Sequence, residues 1–312
     1  MKFYKTCGIM AMTLFSAGLV LLIAGSLLCK PHDVIETVDI VTNGRVSIDR
    51  LEIRINPWGY ESIWSIFGKE SHNSEQEMKA AKEIKSGNID RCEIACGDVS
   101  ELIMKVGGCH IEMKQSKDDH FYIEAKMADQ LQAYEENGII YLMTENEGKI
   151  LNSSEIVFYL PDDQSFERVQ IDVGAGKVEL DSLESKEMVI RLGAGEINAK
   201  EINSNLFEAK IGAGRLKVKK LKTDDAQVDV AAGNLEIKGS IDRNLCADCA
   251  SGNIYMKLDN DETDFDYEVK CAGGNIQLGS NRITGTAKRS YENGADQKME
   301  LNCSRGNIEV HF

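Results

Sequence analysis

Proline is almost missing from this chain, with three residues in 312, and aromatic residues make up only 6%. So little proline excludes a proline-rich disordered chain, and an apolar content of 42% is ordinary for a folded protein. Positive charge is also short: 36 Lys and Arg face 51 Asp and Glu, for a net charge of −15. A surface of that sign repels phosphate, which argues against a nucleic-acid backbone as partner. Catalytic motifs are lacking as well. No G-x-S-x-G, H-E-x-x-H or Walker sequence occurs, and His32, His72, His110, His120 and His311 lie scattered away from any nucleophile motif. The chain reads as a non-enzyme with no cofactor and no metal ligand set.

One long run is free of charge. It covers the 22 residues from Gly8 to Cys29. At 1.5 Å per residue, a helix of that length crosses about 30 Å of hydrocarbon. Lys2 and Lys5 precede it, while Asp33, Glu36 and Asp39 follow. The positive-inside bias therefore predicts a cytoplasmic tail at 1–7, a transmembrane anchor at 8–29 and an extracytoplasmic remainder. Two processing alternatives stay open. Ala24-Gly25-Ser26 offers a small-residue cleavage site, and Cys29 offers a lipid attachment point, although Leu28 stands where a lipobox takes a small residue. Each of the three directs the segment to the cell membrane.

Residues 30–89 read as a juxtamembrane connector. Trp58, Tyr60, Trp64 and Phe67 suit either the lipid interface or a cap under the next domain. Residues 74–85 predict a short polar helix, because Glu77 stands three residues after Ser74 as in a capping box.

From about residue 90 the chain repeats itself. Seven glycines mark the copies: Gly176, Gly195, Gly214, Gly233, Gly252, Gly274 and Gly306, at spacings of 19, 19, 19, 19, 22 and 32. Two residues after each stand Val178, Ile197, Leu216, Leu235, Ile254, Ile276 and Ile308, and four after it stand another seven apolar residues, from Leu180 to Val310. Mostly polar residues lie between. Such period-two alternation is that of a half-buried strand, and a second alternating run precedes each glycine.

A glycine-rich loop between strands raises the question of phosphate. A cradle needs the loop to open a helix, commonly with Lys-Ser or Lys-Thr, whereas Gly176-Lys177 leads into Val178 and another strand. The seven glycines are therefore read as structural corners, where positive φ or close backbone approach is needed. One 19-residue copy cannot bury its own apolar face, but stacked copies can. Neither the leucine-rich pattern nor the calcium-binding nonapeptide occurs. The prediction is an all-β, right-handed parallel β-solenoid over 90–312, regular over 169–312, with seven coils rising about 30 Å at ~4.8 Å each. Lys177, Glu196 and Arg215 would put opposite charges on adjacent rungs, and Asn234, Asn253, Asn275 and Asn307 would continue that column as an amide ladder, which is read as stabilising the stacking register rather than binding a ligand.

Three of the nine cysteines fit this frame, while Cys92, Cys96 and Cys109 have no assigned column. Cys249, Cys271 and Cys303 take the column held earlier by Val173, Leu192, Ile211 and Val230, which makes them core residues on successive rungs. Cys246 and Cys249 form a C-x-x-C, but in a strand they point to opposite faces and would not share one zinc ion. The acidic run Asp259–Asp264 falls in the 22-residue spacing and reads as a solvated loop, since Asp264 holds the position where an EF-hand needs glycine.

These features together resemble the DUF4097 family of bacterial envelope proteins. The resemblance rests on the apolar run Gly8–Cys29, the passage Phe158-Tyr-Leu-Pro161, and the units "DVGAG", "RLGAG" and "KIGAG", ending in "GNIEVHF". It implies a β-solenoid-like domain on the cell envelope and carries no catalytic residues. The expected function is adhesin-like interaction with an envelope protein or wall polymer. The alternative is an envelope-stress sensor acting on a membrane signalling partner.

Overall fold

The computed structural model describes residues 45–48, 51–54, 83–84, 87–128, 131–144 and 155–312. The chain divides into two compact units, residues 1–72 and 73–312. In the first, Arg45–Ile48 and Leu51–Arg54 form an antiparallel pair. The apolar run 8–29 and the aromatic residues 58–67 lie outside the described residues. Among the described residues, no helix is long and apolar enough to cross a membrane.

Among its described residues, the second unit is all β apart from a one-turn 3-10 helix at Glu262–Asp264. Its centre is four strands of 16 residues each: Lys177–Leu192, Glu196–Ile211, Arg215–Val230 and Asn234–Cys249. Successive strands pair in parallel with a constant offset of 19, as in Val178↔Ile197, Ile197↔Leu216 and Leu216↔Leu235. A chain that returns beside itself every 19 residues completes one coil per repeat. The inward column is therefore continuous from rung to rung. Val178, Ile197, Leu216, Leu235, Ile254 and Ile308 are all buried, and residues before and after the glycines share one core. That shared core is what a single repeat could not supply.

One coil departs from the constant register. Leu221 pairs with Gly239 across a bulge, where Gly239 has φ of 137° and an added Cβ would overlap the Leu221 carbonyl. Only glycine tolerates both conditions.

The last two coils do not stack in chain order. Gln297–Cys303 pairs on one side with Asn244–Cys249 and on the other with Phe265–Cys271. Likewise Asn307–His311 lies between Asn253–Leu258 and Asn275–Leu278. The seventh coil is thus inserted between the fifth and the sixth, which corrects the expectation of successive rungs. The connection explains it. Asn281–Thr284 and Ala287–Tyr291 turn back antiparallel on Asn275–Leu278 and Phe265–Cys271, covering the outer edge of the sixth coil. The chain then finds its remaining parallel partner at the inner edge.

The opposite end also closes with antiparallel strands. Glu101–Val106 and His110–Ser116 stack in parallel register on Arg168–Val173 and on Lys177–Leu180, so "VGGCHIEM" is a true coil. Beyond it, His120–Ala128 runs antiparallel to Glu155–Pro161 and to Gly87–Cys96, and Leu131–Glu136 runs antiparallel to Ile139–Thr144. The stretch around Cys92 is therefore an antiparallel cap strand. Glu83–Ile84 pairs antiparallel with Leu131 and Gln132, so these two residues of the expected 74–85 helix are extended instead, and the rest of that span lies outside the described residues. Antiparallel ends of this kind blunt edges that would otherwise invite further strands.

Candidate functional site

The seven glycines stack in one file, in the order Gly176, Gly195, Gly214, Gly233, Gly252, Gly306, Gly274. A Cβ on Gly176 would stand 2.7 Å from the Cys109 carbonyl oxygen, and on Gly252 only 2.2 Å from that of Gly233. The same overlap recurs at Gly306 against Gly252 and at Gly274 against Gly306, each at 2.3 Å. None of the seven has positive φ. Close approach between rungs is thus what demands glycine here. The loop amides are also engaged: those of Gly193, Ala194 and Glu196 donate to the carbonyls of Val173, Gly174 and Gly176 at 2.8 Å. An anion would find those donors already paired.

The residue after each glycine faces outward. Lys177, Glu196 and Arg215 lie in direct register. The nearest ion pair of Lys177 runs along its own strand to Glu179, not across to Glu196. Between rungs, Lys217 reaches Glu236 at 2.8 Å. Further along, the asparagine ladder is formed: Asn253 donates to Asn234, Asn307 to Asn253 and Asn275 to Asn307, each at 2.8 Å. Beside this ladder lies a shallow concavity of about 530 Å³, lined by Arg215, Asn234, Leu235, Glu236, Lys238, Asn253 and Tyr255. Tyr255 is 36% exposed, and the His311 ring lies 5.4 Å from its ring centre. Tyr255 falls in the mostly polar column between the two apolar ones. The signal was there, since it is the one aromatic among Glu179, Asn198, Lys217, Glu236, Gln277 and Glu309.

The cysteine file sits inward of the ladder. Cys249, Cys303 and Cys271 are buried and adjacent in that order, which again differs from the chain order. The Cys249 and Cys303 thiols donate to the carbonyls of Gly252 and Gly306 at 3.2 and 3.1 Å. Cys303 hydrogen-bonds to Cys249, and with burial this pushes the Cys303 thiol up. Cys246 is half-buried on the other side of its strand. Burial, then the neighbouring Asp248, raises it to about 11. The acidic run is held locally: Asn260 both accepts from the Ile241 amide and donates to the Ile241 carbonyl at 3.0 Å, and the Asp261 amide donates to Asp264 at 2.9 Å.

A carboxylate is buried on the other face of the coil. Asp172 is 3% exposed and accepts from Gln170 at 2.6 Å and from Arg191 at 3.4 Å. Burial raises its pKa, and these two partners oppose the shift. Gln170 and Asp172 share one strand, and Arg191 stands opposite Asp172 on the next rung, so the stacking register brings in the cation.

Stacked coils, a shared apolar core and an outer ladder of polar side chains define a β-solenoid-like repeat protein. The chain belongs to the DUF4097 family, described as Toastrack, whose pattern matches residues 99–278. Its fold is similar to that of a "putative adhesin" from Bacteroides fragilis, at 13% identity and a TM-score of 0.41, over 71% of this chain and 96% of the other. It is also similar to a "putative lipid binding protein" from Parabacteroides distasonis, at 18% identity and a TM-score of 0.46, over 73% and 99%. A "putative cell adhesion protein" from Clostridium sporogenes is similar at 11% identity and a TM-score of 0.30, over 73% and 99%. Nothing about a ligand of this chain follows from these likenesses. No curated protein matches the chain.

Proposed function

We propose that this chain is a non-enzymatic, membrane-anchored, extracytoplasmic right-handed β-solenoid that binds a wall polymer through its outer ladder. The observation that carries the reading is the surface at Tyr255. An exposed aromatic ring lies beside a row of stacked amides and a shallow concavity with Arg215, Glu236 and Lys238 at its sides. A flat ring offers its face to sugar C–H groups, while amides, a carboxylate, a guanidinium and an ammonium group offer both donors and acceptors to hydroxyls. A net charge of −15 disfavours a polyanionic polymer, so a glycan strand fits better than a phosphate-rich one. The run Gly8–Cys29 would hold the domain at the membrane, with the N-terminus cytoplasmic.

The test is co-sedimentation of the full-length protein, in detergent, with insoluble cell-wall glycan. Wild type should sediment with it, while Tyr255→Ala and Asn234→Ala should both lower the bound fraction without changing the melting temperature. Absence of binding to glycan, or retention of full binding by both variants, overturns the reading. If the chain instead cross-links to a membrane signalling protein and ignores glycan, the sensor alternative takes its place.

A further inference from the structure

A second cluster lies at the other end of the coil stack, and the glycan reading does not use it. His110 and Glu112 stand two apart on the strand His110–Ser116, so both side chains leave the same outward face. On the neighbouring strand Glu179 is in direct register with Glu112, and Lys177 with His110. The ladder therefore brings one imidazole and two carboxylates together, with one ligand atom from each lying within 4.8 Å of the other two. His110 Nε2 lies 4.0 Å from Glu179 Oε2, has no hydrogen-bond partner, and is itself shielded from solvent. The three side chains are 35%, 32% and 40% exposed, so the cluster lies at the surface and a small movement of the Glu side chains opens His110 Nε2 to an ion from solution.

We propose that His110, Glu112 and Glu179 form a binding site for a divalent first-row metal ion, with zinc the best fit. Imidazole nitrogen with two carboxylate oxygens is a donor set that zinc accepts in a three-ligand site with water in the fourth position. Ligands around a bound zinc sit about 2.0–2.2 Å from the ion, so the donors must close in by roughly 1 Å. Two flexible Glu side chains on a fixed backbone can make that movement. Both carboxylates have lysine partners: Lys114 approaches Glu112 at 2.5 Å and Lys177 pairs with Glu179. Binding would exchange two exposed ammonium partners, each worth little in water, for one dication. Asp181 and Glu196 lie near enough to Lys114 and Lys177 to attract them as they leave. No residue of the glycan-binding surface belongs to this cluster.

The experiment is calorimetric titration of untagged full-length protein with zinc chloride at neutral pH, in the presence of a thiol-blocking step to silence accessible cysteines. One zinc per chain is expected. His110→Ala and Glu179→Gln should each weaken binding by at least about tenfold, the scale seen when metal-site partners are removed. Cobalt(II) bound in place of zinc should show visible d–d bands without a thiolate charge-transfer band. No zinc binding, equal binding by both variants, or a thiolate band in the cobalt spectrum overturns the site.

Discussion

Asn307 donates its side-chain amide to Asn253, 54 residues earlier, at 2.8 Å, and accepts from Asn275 on its other side. That pair of bonds records the topology of the whole C-terminal end, because it places the last coil between its two predecessors. Paired cysteine substitutions test it. Asn253→Cys with Asn307→Cys should form a disulfide under mild oxidation, since directly registered strands bring Cα atoms within the range a disulfide spans. Asn253→Cys with Asn275→Cys should not, because the two lie two rungs apart, about 9.6 Å. Peptide mapping by mass spectrometry distinguishes the new link from native thiols. A link in the second pair alone would reverse the order of the coils.

The glycine file predicts a sharp asymmetry between neighbouring positions. Gly233→Ala drives a methyl group to 2.3 Å from the Gly214 carbonyl oxygen, with backbone on one side and the Ile211 side chain on the other. Overpacking of this kind costs about 1–3 kcal/mol. Glu236→Lys, three residues on, loses a partly exposed pair with Lys217 and should cost about 1 kcal/mol or less. Urea midpoints of the two variants check the difference. Equal midpoints would mean that the rungs yield easily.

The buried cluster of Asp172 and Arg191 gives a pH-dependent prediction. Arg191→Met leaves the Asp172 carboxylate without its ion pair, with Lys105 on the opposite rung still attracting it, a loss of at most about 3–5 kcal/mol at neutral pH. Because burial already raises the Asp172 pKa, the folded state holds the proton more tightly than the unfolded chain does. The penalty on the charged form is therefore present above the folded pKa and fades as pH falls through it. Without Arg191 that pKa rises further, so the gap between variant and wild type should be widest near neutrality and narrow in acid. Denaturant melts across that range measure it, and a constant gap would remove Asp172 as the cause.

Thiol reactivity should follow depth and charge. Cys246 is half-buried with a pKa raised to about 11, so its alkylation should be slow at neutral pH and climb about tenfold per pH unit toward that value. Asp248→Asn removes one of the charges that raise it and should speed the reaction at mildly alkaline pH. Cys249, Cys271 and Cys303 should stay unmodified until the chain is unfolded. Timed iodoacetamide labelling with site-resolved mass spectrometry reads all four. Equal labelling of Cys249 and Cys246 in the native state would place Cys249 outside the core.

Much of this was written locally. The spacing of 19 between Gly176, Gly195, Gly214, Gly233 and Gly252, with apolar residues two and four positions on, is a short-range pattern, and short-range patterns survive in sequence. The corner role of Gly176 over a phosphate cradle was legible from the strand that follows it. The cap strands at either end were not, since "CEIACGDVS" alternates much as a coil does and only its antiparallel partner distinguishes it. Nor was the cluster of His110, Glu112 and Glu179, whose members lie up to 69 residues apart and meet only through strand register.

The amino-acid sequence by itself determined the coil: which residues face inward, where the backbone needs glycine, and which side chains share a column. Alternation and spacing decide these, because each depends on residues within one turn of the chain. Only the tertiary structure decided which coil lies on which. An apolar strand pairs equally well with any free parallel edge, and Asn253 offers the same amide to Asn275 as to Asn307. The choice fell to the hairpin strands 281–291, which cover one edge of the sixth coil and leave the other for the end of the chain.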